Sequence, residues 1–262
     1  MNNPLKLLSA FLKVNVQMSL AYRADTIANI LLNIMWLGWE LLSLSIIFSN
    51  TDTIAGWGFG ELIALLGVFR LVHTLMAALI WPNTERFNQS IRDGSMDYTL
   101  LQPVSSMFLV TFSRITIWRA WDLILAIVLI VVGVNLSGGG TTPLDLLTFI
   151  LLTFSGAVVI YSLWIVLIAL TFWFTKFDNN VTILQALVDA GRYPATVYPA
   201  WLQIIITFII PIAVATTVPL QGLRGELSPS RILLFLALAG ISFLIASQVW
   251  KRGLKQYSGA SS

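Results

Sequence analysis

Six stretches of this chain are apolar for long enough to cross a lipid bilayer as helices: residues 26–48, 60–80, 117–136, 146–173, 201–219 and 231–250. A hydrocarbon core of about 30 Å offers no water to backbone N–H and C=O groups, so about 20 apolar residues must pair their own backbone as helix. This sets the fold class before any motif is read. Of the 262 residues 57% are apolar and 10% charged, against about 25% charged in soluble domains. No soluble-type block remains between the runs. The reading is one all-α membrane domain over residues 1–262.

Charge placement gives the orientation. Lys6, Lys13, Arg23, Arg86, Arg92, Arg114, Arg119, Lys176, Arg192, Lys251, Arg252 and Lys255 flank the runs on one side. The opposite loops hold only Arg224 and Arg231, and Arg70 falls inside the second run. The excess of cations marks the cytoplasmic side, so both termini are expected in the cytoplasm. The N-terminus lacks the compact apolar core and small-residue site of a cleaved signal. Leu5, Leu8 and Leu12 recur at helical spacing between lysines, which predicts a helix lying in the membrane interface. In the fifth run, Pro211 predicts a kink and Pro219 a break soon after, followed by a broken or re-entrant segment. SGGGTTP at 137–143 reads as a short external turn.

Several chemistries are excluded. With no cysteine there is no disulfide, thiolate metal site or cysteine nucleophile, and the single histidine, His73, cannot build a histidine metal centre. No phosphate-cradling G-x-x-x-x-G-K-[ST] loop, H-E-x-x-H pair or G-x-S-x-G elbow occurs. The basic residues are scattered over short flanks, so no nucleic-acid surface is expected. No catalytic residue is assigned, and no cofactor site within the chain.

Glu40, Arg70, His73 and Asp122 are ionisable groups in or beside apolar runs, where charge is costly and suggests function. Arg70 and His73 are three apart and share a helix face. Glu40 has two readings, a structural bridge to Arg70 or a place on a substrate path. With Trp36 and Trp39 nearby, a cavity at Glu40 would suit an aromatic cation. Aromatic packing between helices is the plainer account of those tryptophans. Trp57, Trp81, Trp118, Trp201 and Trp250 lie at run ends, where an aromatic belt is expected.

FNQSIRDGSMDYTLLQP, residues 87–103, is polar between two apolar runs. It reads as a short amphipathic passage stopped by Gly94 and held to the cytoplasmic face by Ile91, Met96, Leu100 and Leu101. Charges toward water and apolar groups toward a groove suit a docking element for a soluble partner.

The pattern I-R-x-G-x-M-D-x-x-L-L-x-P at Ile91 to Pro103 resembles the loop between the second and third spans of ABC-2 type exporter permeases. The resemblance is particularly to the six-span bacterial group without a fused ATPase, the daunorubicin/viologen-type multidrug export permeases. GRYPATVYP at 191–199 and VWKRGLKQYSGASS at 249–262 fit the same group, and the resemblance covers essentially the whole chain. It implies a half-transporter in a bacterial inner membrane, paired with a second permease subunit, identical or homologous. Separate ABC ATPase subunits would carry ATP and Mg and grip a coupling helix within Glu85 to Leu101. Arg86, Ile91, Arg92, Asp93, Gly94, Met96, Asp97 and Leu100 are then the expected coupling residues. Trp36, Trp39, Glu40, Arg70 and His73 would line the substrate path, formed by the first, second and fifth spans. A secondary transporter or a non-transporting membrane assembly protein is the alternative, although no internal repeat or acid pair favours the first.

Overall fold

A computed structural model describes residues 23–116, 119–138, 140–174 and 179–257. The expected interfacial helix at the N-terminus, and Trp118, lie outside the described residues. Among the described residues every regular element is helical. Four helices are long and apolar enough to cross a membrane, at 27–48, 59–92, 143–172 and 229–256, and two shorter apolar helices lie at 120–136 and 200–209.

In chain order, α1 is Arg23–Phe48 and α2 is Phe59–Leu75. A π-helical turn, Met76–Ile80, leads straight into α3, Trp81–Arg92. The second run therefore does not end at 80. It continues as one helix of 34 residues, about 51 Å at 1.5 Å per residue, well beyond the about 30 Å of a hydrocarbon core. Pro82 explains the π turn. Proline has no N–H to give the preceding turn, and the carbonyl of Ala78 accepts instead from the Thr116 N–H at 2.9 Å. Asn83, buried one residue later, completes the splice. Its Nδ2 donates to the carbonyls of Leu79, Thr111 and Arg114, and its Oδ1 accepts from the Ser113 hydroxyl and the Arg114 N–H.

After α3 come α4, Met96–Leu100, and α5, Ser106–Phe112. The next helix, α6, is Ala120–Leu136. It packs on α2 along a seam of small residues. A Cβ on Gly133 would stand 2.3 Å from the Ala64 nitrogen, and one on Gly60 2.6 Å from the Ser137 nitrogen. The two backbones approach that closely because nothing larger lies between them, the packing that suits helices in lipid.

Thr142 opens α7, Pro143–Ala169: its hydroxyl accepts from the Asp145 N–H, while the Asp145 carboxylate accepts from the Thr142 N–H, a reciprocal cap with proline in the first turn. A 3₁₀ turn at Leu170–Phe172 closes it. After α8, Asn180–Asp189, come 3₁₀ turns at Ala190–Arg192 and Ala195–Val197. Then follow α9, Ala200–Ile204, extended as a π turn Ile205–Ile209, the 3₁₀ turn Ile212–Ala215, α10, Thr217–Leu223, and α11, Pro229–Gln256.

The region expected to be a kinked fifth span at 201–219 is a hairpin instead. Helix stops at Ile210 (φ −120°, ψ 78°) and Pro211, and resumes after Thr216 (φ −126°, ψ −69°). Both arms return to the same end of the molecule. Thr196, just before the hairpin, accepts from the Trp57 indole N–H at 3.0 Å, and Arg224, just after it, lies over the Trp57 ring and pairs with Glu61. Its tip is deep, since Gly222 lies beside Thr148 and Ala215 beside Gly156, two turns further along α7. Pro219 does not break the chain; it sits in the first turn of α10, where its missing N–H has no partner to lose. Sequence periodicity could not separate one kinked span from two half-length arms of equal apolarity.

The passage between the two ends is made by α8 with the turns after it. Asn180, at its start, is bonded to Asn88 near the Gly94 end of the bundle, and Thr196 is at the Trp57 end. Arg192, counted above with the cytoplasmic flank, lies instead beside α2. At the Gly94 end, Phe87, Phe172 and Trp250 stack with centroids 5.4–5.5 Å apart. Trp57 and Trp250, expected in an aromatic belt, are both buried; only Trp201 of the described belt candidates is largely exposed.

Candidate functional site: a polar face and a helix corner

The corner between α3 and α4 is tightly determined. Asp93 ends α3, Gly94 takes φ +75°, and the Ser95 N–H donates to Asp93 Oδ1 at 2.9 Å. Gly94 is thus the helix stop that its position predicted, in a region disfavoured for other residues. The Ser95 hydroxyl, then its backbone N–H, hold the exposed Asp93 carboxyl below its ordinary range.

Ile91 and Met96 anchor the corner in the core, as expected. Leu100 and Leu101 do not. Leu101 lies about 140° and Tyr98 about 200° around from Met96 at 100° per residue, whereas Leu100 is only about 40° away and at the rim of the buried side. Tyr98 is 74% exposed, Leu101 82% and Leu100 39%. The corner therefore presents an apolar tip to solvent, beside the exposed Arg92 and Asp93 and the part-exposed Asp97. Tyr257, at the end of α11, backs it; burial first, then the charge of Asp97, raises its phenol above the ordinary value.

The expected coupling charges do not share one face. Arg86 and Asp93 line a polar groove of about 720 Å³ toward α4 and α5, with Tyr98 and Arg114. Arg92 lines a second cleft, of about 520 Å³, between α3 and α8, with Trp81, Glu85, Asn88, Val181 and Gln185.

Deeper in the bundle lies the charge cluster. Glu40 on α1 accepts from Arg70 on α2 through Nε at 3.1 Å and Nη2 at 2.6 Å. Its other oxygen accepts from Nη2 of Arg192, in the turn after α8. One carboxylate thus ties three segments, and the Arg192 guanidinium also lies 5.9 Å from the Phe69 ring centroid. The bridge from Glu40 to Arg70 allowed by the sequence is present. His73 is turned to Trp81 instead, edge to face with centroids 4.9 Å apart. Trp36 and Trp39 stand largely exposed on α1 and do not wall a cavity around Glu40. Two guanidiniums already answer that carboxylate, so the geometry favours the structural bridge over a site for a cation.

Sequence reasoning missed Arg192, Asn88 and Asn180. Gly191, beside Arg192, passes so close to Ile212 and Thr216 that a Cβ would stand 2.9 Å from a methyl group, a constraint visible only in the fold. No sequence spacing joins Asn88 to Asn180. Beside them, Gln185, Asp189 and Arg192 recur at helical spacing and are exposed. This puts a line of exposed polar side chains along α8 and the turn after it.

The family described as ABC-2 family transporter protein matches residues 34–261. No curated protein matches the chain.

Proposed function

For a chain that belongs to the ABC-2 transporter family, we propose the role of permease subunit in an ATP-driven exporter whose ATP is hydrolysed by separate subunits. The observation that carries this reading is the α3–α4 corner. It ends a helix too long for the bilayer and offers Tyr98, Leu100 and Leu101 beside Arg92, Asp93 and Asp97. An apolar tip on a rigid support, with charges around it, suits a soluble partner that must push on the membrane part. The partner is an ABC ATPase carrying ATP and Mg, one copy for each of two permease subunits, identical or homologous.

In this reading the chain crosses a bacterial inner membrane six times with both termini in the cytoplasm. The fifth crossing is α8 with the turns to Thr196, and the hairpin 200–223 dips in from the outer side and returns. α1, α2 and α8 face the second subunit across the path. Exposed polar side chains on α8 support that placement, because such groups are costly against lipid and acceptable in a water-filled path. The cargo is a hydrophobic small molecule. The positive charge expected of it rested on Glu40, which is already neutralised within the chain. Nucleotide closure of the ATPases would draw the two corners together and re-aim the packed helices as rigid bodies.

Replacing Tyr98 and Leu101 together by alanine tests the docking. Both side chains lie outside the core, so folding is expected to be unchanged, with the same elution profile in detergent. ATPase co-purification is expected to fall about tenfold or more, the effect of removing apolar anchors from a docked tip. Undiminished co-purification would show that the partner, if any, docks elsewhere.

A further inference from the structure

Among the described residues, the helix α8 is fastened by hydrogen bonds or ion pairs at its two ends and packs apolar side chains into the core between them. At its start, Asn88 Nδ2 donates to Asn180 Oδ1 at 3.2 Å and Asn180 Nδ2 donates to Asn88 Oδ1 at 3.0 Å, with both residues buried. Asn180 Oδ1 also accepts the Val181 N–H. At the far end, 12 residues and about 18 Å away, Arg192 holds Glu40 and through it Arg70. Between them Leu184 and Val188 sit in the core beside Trp164, Ile165 and Ile168.

These contacts respond differently to motion. Apolar side chains have no directional bond to break when packed helices slide past one another. A reciprocal amide pair in a low-dielectric interior does, because separating it breaks two directional bonds and strands buried amide groups. A displacement of α3 therefore carries the start of α8 with it, and a helix this short transmits the displacement to its other end.

We propose that α8 is a transmission strut: the Asn88–Asn180 pair takes up movement of the α3–α4 corner, and the Glu40–Arg70–Arg192 cluster delivers it to the path. Asn88 and Asn180 are positioning residues in this scheme and touch neither nucleotide nor cargo. The inference rests on the permease reading, and its test separates the two.

The chain has no cysteine, so Tyr193→Cys, at the exposed residue after Arg192, creates a unique reporter. The complex with its ATPase subunits is reconstituted in lipid nanodiscs. Alkylation of this chain by a water-soluble maleimide is then timed with and without ATP plus vanadate. In the otherwise unaltered chain, nucleotide is expected to change the rate about fivefold or more, as a rigid-body switch would. In the Asn88→Leu/Asn180→Leu background, which leaves no side-chain amide unpaired, the nucleotide effect is expected to shrink to within about twofold. The rate without nucleotide, ATPase co-purification and ATP turnover should stay within about twofold of the parent, since the corner and the fold are intact. Should the double variant not assemble, Asn180→Ala adds no bulk and reads the same quantity. A full nucleotide effect in either background overturns the strut alone. No nucleotide effect in the parent overturns the permease reading, and the strut with it.

Discussion

Replacing Gly133 by alanine is expected to lower the thermal stability of the folded chain strongly. The added Cβ would lie 2.3 Å from the Ala64 nitrogen, 2.5 Å from the Gly60 oxygen and 2.8 Å from the Ala64 Cα. All three are backbone atoms and cannot rotate away. Relief requires α2 and α6 to part along the whole seam, taking with it the contacts of Gly67 against Ile130 and Ala126. Overpacking a core commonly costs about 1–3 kcal/mol and occasionally more; backbone against backbone belongs at the upper end. At about 2–4 °C per kcal/mol for a chain of 150–250 residues, the expected fall in Tm is about 10 °C. Gly38→Ala and Gly240→Ala are the controls, since nothing lies within 4 Å of a Cβ at either. The check is thermal size-exclusion profiling in mild detergent. A Gly133→Ala profile matching Gly240→Ala would show that the α2–α6 seam does not hold the fold.

The second large effect is expected at Glu40. Glu40→Gln keeps the shape but leaves Arg70 and Arg192 facing each other with no counter-charge. Removing one partner of a buried pair costs about 3–5 kcal/mol. The Arg192 side chain is 43% exposed and the Glu40 side chain 18%, so water screens part of this, and about 2–3 kcal/mol is the expected loss. The diagnostic step is the double variant Glu40→Gln/Arg70→Met. It removes the more buried uncompensated charge and is expected to regain most of the lost Tm. If Glu40 serves a cationic cargo instead, Glu40→Gln leaves Tm unchanged, abolishes resistance to cationic aromatic toxins, and Arg70→Met rescues nothing.

Much of the fold was legible because membrane residence imposes long apolar runs and proline, glycine and threonine mark their ends. Gly94 stops the helix at the corner, as its chemistry requires, whereas Thr142 and Pro143, read as part of an external turn, in fact start α7. Pro211 was read as a kink because one apolar run with a central proline fits a bent span as well as two arms. The contacts made by Trp57, through Thr196 on one side and Arg224 on the other, distinguish these. The pairing of Glu40 with Arg70 was legible from the cost of solitary charge in lipid. The third member, Arg192, lay in a segment read as a cytoplasmic flank. Trp39 and Glu40 are neighbours in sequence, but successive helical residues point about 100° apart, so adjacency did not make a site. Asn83 and the Asn88–Asn180 pair left no sequence signature, because buried amides are satisfied by whatever the tertiary fold brings near.

The most direct test of the central claim is purification of the tagged, unaltered chain from its native membrane in mild detergent. Co-purifying proteins are identified, and ATP hydrolysis is measured on the eluate. The account predicts a stoichiometric subunit carrying a G-x-x-x-x-G-K-[ST] loop, with ATP turnover that this chain by itself lacks. A folded, monodisperse chain that brings down no such subunit and hydrolyses no ATP would contradict it, and would return the α3–α4 corner to an ordinary membrane-surface loop.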